Sequence, residues 1–136
     1  MPRIIAIDYG LKRCGIAVTD PLCIIATPLT TVAANELFPF LTQYFLSNDV
    51  STIVIGLPKN LNNTATHSTP FVLKAIEALQ KKFSTKKIVP LDERFTSKIA
   101  MNAMLASNTS KKDRANKGTI DQLSATILLQ DYLGCL

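Results

Sequence analysis

Asp8, Glu93 and Asp121 are the residues of this chain whose types and settings could do chemistry together. Asp8 breaks the apolar run Ile4-Ile5-Ala6-Ile7 and is followed by Tyr9-Gly10, where a glycine lets the backbone turn tightly toward a ligand. Glu93 comes directly after Asp92, at the end of the apolar run Ile88-Val89-Pro90-Leu91. Asp121 lies in Lys117-Gly118-Thr119-Ile120-Asp121-Gln122-Leu123-Ser124-Ala125, on a helical background. Acids gathered at strand ends and on one covering helix repel each other unless a cation joins them. The pattern therefore predicts Mg2+ or Mn2+ among the three carboxylates, with water and phosphate completing the shell. The chemistry implied is phosphodiester hydrolysis, in which one hard cation lowers the pKa of a bound water and a second stabilises the leaving oxygen. Such a reaction needs no protein nucleophile.

Each acid also has a plainer use. An aspartate before Tyr-Gly is a good turn former. Glu93 has Arg94 beside it, and adjacent opposite charges usually pair at the surface. Asp92 is an alternative ligand, because neighbours on an extended strand face opposite ways. Asp121 near a helix start is favoured by the helix dipole whatever its function. The lone His67 falls in Thr64-Ala65-Thr66-His67-Ser68, where an exposed or capping role fits better than a catalytic one.

Basic and amide residues flank the acids. Lys12 and Arg13 in the first turn, Lys59 and Asn60 after the fourth strand, and Arg94 sit where loops reach phosphates, offering charge-assisted hydrogen bonds without reading bases. Lys111, Lys112, Arg114 and Lys117 add a positive loop, whereas Lys81-Lys82 and Lys86-Lys87 read as solvated element ends. The nine aromatic residues, three Tyr and six Phe, are mostly spaced as core, so no platform for stacking single-stranded bases is visible.

The elements that must position these residues follow from periodicity. Residues 3–8, about 14–19 and about 23–30 read as an antiparallel meander joined by Gly10-Leu11-Lys12-Arg13 and Asp20-Pro21. Asn35 is expected to cap a helix reaching about Leu46, with Pro39 tolerated early in it. Ser51 to Gly56 is a buried strand, most simply parallel to the first. A helix follows with Phe71, Val72, Ala75, Ile76, Leu79 and Phe83 on its apolar stripe, then a strand from Lys86 to Leu91. A short helix capped by Thr96 or Ser97, a basic loop to Asn116, and a last helix stopping at Gly134 complete the chain. This order predicts an α/β fold, a ribonuclease H-like mixed five-stranded sheet with helices on both faces, in a single domain spanning 1–136.

Composition sets the outer bounds. A 136-residue chain buries roughly two-thirds of its unfolded surface, and 47% hydrophobic content agrees with a real core. The net charge of +5 is compatible with a polyanionic partner. Cys14, Cys23 and Cys135 are odd in number and scattered, which suits reduced thiols. No apolar run approaches the ~20 residues of a membrane span, and the N-terminus enters a strand without signal-peptide regions. A cytoplasmic protein without membrane contact is the expectation.

Four segments carry a resemblance that runs from end to end: Asp8-Tyr9-Gly10-Leu11-Lys12-Arg13-Cys14-Gly15-Ile16-Ala17, Gly56-Leu57-Pro58-Lys59-Asn60, Asp92-Glu93-Arg94-Phe95-Thr96-Ser97, and Lys117-Gly118 through Asp121 to Ala125. In their order and spacing the chain resembles the YqgF/RuvX family, proteins related to Holliday junction resolvases and implicated in maturing the 5′ end of precursor 16S ribosomal RNA. The resemblance implies a metal-dependent nuclease whose proposed metal-binding acids fall on Asp8, Glu93 and Asp121. It implies structured RNA as substrate, with branched DNA as the alternative. A non-catalytic nucleic-acid-binding factor is the alternative from another class. Because no helix shows an obvious dimer seam, a monomer or weak dimer is expected.

Overall fold

The computed structural model describes residues 2–57, 69–92 and 117–134. Arg3–Tyr9 (β1) is buried from Ile4 through Ile7, a continuous apolar run of the kind that forms a strand covered on both faces. Arg13–Thr19 (β2) returns antiparallel to it, and Ala26–Ala33 (β3) returns antiparallel to β2. Val50–Leu57 (β4) and Lys87–Asp92 (β5) add to the other side of β1, both in the parallel sense. The sheet order is β3-β2-β1-β4-β5. Each edge strand carries a proline, Pro28 in β3 and Pro90 in β5, at positions where a missing N–H does least harm to the ladder.

Two helices cover one face. Leu37–Ser47 (α1) places Leu37 and Leu41, and Thr69–Lys82 (α2) places Val72, Ala75, Ile76 and Leu79, on Ile5, Ile7, Ile16, Ile53 and Ile55 of the sheet. At the end of this layer Phe45 meets Phe83 edge to face with centroids 5.0 Å apart, and Lys86 lies over the Phe45 ring. The other face is covered by Lys117–Gly134 (α3), whose Ala125, Leu128 and Leu129 pack on Ile4, Ala6, Ala17 and Val54. Alternation along β1 divides these contacts, since neighbouring side chains on a strand point to opposite faces.

The expected mixed sheet, the meander, the parallel fourth strand and the two-faced helical cover are present. Three local expectations are corrected. β3 begins at Ala26, because the Asp20 carboxylate accepts the backbone N–H groups of Ile24 and Ile25, and Cys23 takes a positive φ of 58°. That closed turn consumes residues 20–25. Asn35 does not cap α1: β3 extends to Ala33, a 3-10 turn fills Ala34–Glu36, and α1 begins at Leu37 with no side-chain cap. Phe71 is exposed, because it lies about 100° around the helix from Val72, outside the stripe formed by Val72, Ala75, Ile76 and Leu79. The short helix expected after Thr96 lies outside the described residues. Among the described residues no helix is long and apolar enough to cross a membrane.

Candidate nuclease site

β1, β4 and β5 run parallel, so their C-terminal ends share one edge of the sheet, and β2 starts from that edge at Arg13. Asp8 stands near the end of β1, paired in register with Gly15 of β2. Ile4 and Ala6 of β1 and Ala17 of β2 all face α3. Strand alternation puts Asp8 and Gly15 on that same face.

Gly15 then decides how near α3 can come. A Cβ at this position would overlap the backbone carbonyl of Asp121, so only glycine lets the first turns of α3 rest on the strand here. Asp121 and Asp8, distant in sequence, are thereby brought to the same place. Their convergence is registered by a third group. The buried Cys14 thiol is pushed up to about 11, first by burial, against a lowering hydrogen bond from the Gly10 backbone, and further by the charges of both Asp8 and Asp121.

Arg13 completes the cluster. Its Nε–H donates to Oδ2 of Asp121, an ion pair that joins positions 108 residues apart. The Arg13 side chain is 36% exposed and that of Asp121 only 20%, so the carboxylate is largely shielded while the guanidinium borders solvent. Gly10, Leu11, Lys12, Arg13 and Asp121 line an open cleft of about 370 Å3. The cleft is large enough for a phosphate group.

Gly10 serves the tight turn through its lack of a side chain. No described glycine has a positive φ, and the reason for glycine at position 10 is space: a Cβ would come within 2.5 Å of the Arg13 carbonyl oxygen.

Of the residues expected to do chemistry, the structure brings together Asp8, Asp121, Lys12 and Arg13. Glu93, Lys59, Asn60, Arg94, Lys111, Lys112 and Arg114 lie outside the described residues, as do His67 and Cys135. Lys117 opens α3, and its side chain is likewise outside them. Among the described residues no three metal-ligating side chains cluster. Asp121 at the cleft and Asp8 beside it, whose charges both reach Cys14, are nevertheless the donor type that suits a hard divalent cation, so the residues present fit one. Sequence reasoning passed over Gly15 and Cys14. A glycine inside an apolar strand was the available signal for Gly15, since it marks a close backbone approach. No pattern announces Cys14, which is buried in the layer under α1 and α2 and meets the charge of Asp121 only once α3 is seated.

A family model described as "RuvX: Holliday junction resolvase" matches residues 2–134. The chain belongs to the RuvX family. Relatives in the same family include a "Putative pre-16S rRNA nuclease" of Flavobacterium johnsoniae, 49% identical over 133 residues that cover 98% of this chain and 96% of the relative. A protein of the same name from Bacteroides fragilis is 47% identical over 133 residues, again covering 98% and 96%. Among solved structures, the fowlpox virus Holliday junction resolvase superposes with a TM-score of 0.61 at 12% identity, covering 98% of this chain and 99% of that one. A second, "T. thermophilus RuvC in complex with Holliday junction substrate", gives 0.58 at 11%, covering 98% and 97%. At such identities the likeness establishes the fold alone, which is the ribonuclease H-like one expected from the order of elements.

Proposed function

We propose that this RuvX-family chain is a metal-dependent nuclease that hydrolyses phosphodiester bonds at the 5′ side of precursor 16S rRNA. The observation that carries the reading is the placement of Asp8 and Asp121 together, through Gly15, beside an open cleft edged by Lys12 and Arg13. The relatives' names point to the rRNA precursor.

Asp8 and Asp121 hold Mg2+ or Mn2+, with Glu93 as the third carboxylate. When bound, such a cation supplies an activated water and charge stabilisation for the leaving oxygen. Lys12 and Arg13 bind the flanking phosphates from the first turn, and Lys59, Asn60, Arg94, Lys111, Lys112, Arg114 and Lys117 extend that backbone grip. Recognition is by shape and charge. The chain works in the cytoplasm as one domain and as a monomer or weak dimer, since one site suffices to cut one strand.

The family description favours a second reading, junction resolution. Symmetric cutting of a four-way junction needs two sites related by a two-fold axis, hence a stable dimer. One assay separates the readings: a precursor 16S fragment and a four-way DNA junction are offered at equal protein concentration with Mn2+ or Mg2+. We expect cleavage of the RNA and little paired nicking of the junction. Asp8→Asn, Glu93→Gln and Asp121→Asn should each remove cleavage almost as fully as the triple variant, because ligands of one site act as a unit. Efficient symmetric junction cleavage with inert RNA would establish resolution instead, and wild-type rates in Glu93→Gln would transfer its role to Asp92.

A further inference from the structure

Arg13 occupies an unexpected position for a residue whose only task is to hold phosphate, because its Nε–H is engaged by Asp121, one of the two described carboxylates of the site. Two acids gathered at one place disfavour each other's charge unless a cation is present. Among the described residues the Arg13 guanidinium is a cation set directly against one of them, Asp121. An exposed or partly exposed ion pair is weak, so a divalent cation can displace it. A guanidinium carries five donors, and the contact with Asp121 uses the Nε–H. The Arg13 side chain also lines the cleft and borders solvent, so leaving Asp121 for a phosphate requires no more than rotation of a partly exposed side chain.

We propose that Arg13 is an exchangeable internal counter-ion: it holds Asp121 while the site lacks a divalent cation, yields that carboxylate when the cation enters, and then takes a phosphate of the nucleic acid in the adjacent cleft. The inference rests on reading Asp8 and Asp121 as metal ligands. It makes Arg13 a positioning residue that couples cation loading to substrate capture, and by linkage each event then favours the other.

A static brace and an exchangeable counter-ion predict opposite signs. If Arg13 merely orients Asp121, its removal loosens the carboxylate and weakens cation binding. If Arg13 competes for the carboxylate, its removal strengthens cation binding. The test is calorimetric titration of Mn2+ alone into the intact chain, without nucleic acid. Arg13→Gln should bind Mn2+ about three- to fivefold more tightly than wild type, the equilibrium equivalent of a partly exposed ion pair, while binding an RNA fragment more weakly. Lys12→Gln removes the same charge from the same turn without touching Asp121, and should change Mn2+ affinity by less than about twofold. Equal gains in the two variants would reduce the effect to general charge and overturn the proposal, as would weaker or unchanged Mn2+ binding in Arg13→Gln. A measurement on the unmodified chain covers the case in which Arg13→Gln fails to fold. The Arg13 Nε–H resonance should move saturably as Mg2+ is titrated, and a resonance that stays fixed while Mg2+ binds overturns the exchange. The same titrations on Asp8→Asn and Asp121→Asn separate the two levels of inference. If both variants weaken Mn2+ binding while Arg13→Gln leaves it unchanged, only the counter-ion role falls; if neither does, the metal site itself is misplaced and both readings fall.

Discussion

The two faces of the sheet are built to different rules. The face under α1 and α2 is filled with large aliphatic side chains, Ile5, Ile7, Ile16, Leu37, Leu41, Ile53, Ile55 and Leu79, all shielded from water and sealed at one end by Phe45 and Phe83. The face under α3 is surfaced at its crossing point by Ala6, Gly15 and Ala17, with Ala125 opposite, so the helix comes down almost to the strand backbone. Bulk on the first face supplies apolar burial, the main favourable term in folding. Smallness on the second forgoes part of that burial and gains position. Only a helix seated this close can bring Asp121 to Asp8. Stability and chemistry are thus assigned to opposite sides of the same five strands, and substitutions on the two sides should fail in different ways.

Outside the carboxylates themselves, the largest effect on cleavage is expected at Gly15. In Gly15→Ala the new Cβ meets the Asp121 carbonyl, which is backbone and cannot step aside as a flexible side chain would, so the start of α3 must shift. Overpacking of this sort costs about 1–3 kcal/mol in stability. A displacement of about 1 Å at a reacting centre costs on the order of 100-fold in rate. Both losses should appear together, in a urea titration and in the cleavage rate of the fraction still folded. A Gly15→Ala chain that cleaves at the wild-type rate would mean that the close approach does not position the site.

Leu79→Ala breaks the comparison from the other side. Leu79 of α2 is fully buried among the aliphatics of the α1 and α2 face, and its truncation leaves a cavity that costs about 2–5 kcal/mol. Cleavage per folded molecule should stay within about twofold of wild type, because nothing at the Asp8 edge has moved. Paired measurement of the urea midpoint and of activity below it checks the separation. Activity falling in step with stability would show that the two faces are mechanically one.

The same contrast explains what could be read from the chain beforehand. The α1 and α2 face was legible because burial writes periodicity into sequence: Val72, Ala75, Ile76 and Leu79 repeat at helical spacing, and Ile4 through Ile7 announce a strand covered on both sides. Asp8 and Asp121 were legible as polar interruptions in such patterns. Their meeting was not, because it depends on a backbone contact at Gly15 that no periodicity encodes. Arg13 read as a phosphate ligand from its turn, and its partnership with Asp121 emerges only when α3 lies across β2. The local misreadings share a cause as well. Asn35 has the chemistry of a helix cap, but the pairing of β3 with β2 through Ala33↔Arg13 carries the strand too far for that role, and tertiary pairing outweighed local preference.

Cys14 tests the comparison most finely, because it is buried with the α1 and α2 core yet feels the acids of the opposite face. Its thiol is raised from an ordinary value of 9.0 to about 11, with burial the largest cause and the charges of Asp8 and Asp121 adding to it. The sign of the stability effect follows from which state keeps the proton. Between about pH 9 and pH 11 the unfolded chain has lost the Cys14 proton and the folded chain retains it, so stability falls as pH rises through this window and levels off above it. The loss should be no more than about 3 kcal/mol. Tyr9 is also raised, by burial and then by Cys14, and contributes in the same direction, so the useful quantity is the difference between wild type and Cys14→Ala. Urea midpoints measured at intervals from pH 8 to pH 11 should decline more steeply in wild type than in Cys14→Ala. In Asp8→Asn the wild-type decline should soften only slightly, since desolvation outranks the acid among the causes. Parallel curves for wild type and Cys14→Ala would remove the thiol as a reporter, and a slope that collapses in Asp8→Asn would mean that charge across the sheet, and not burial, governs Cys14.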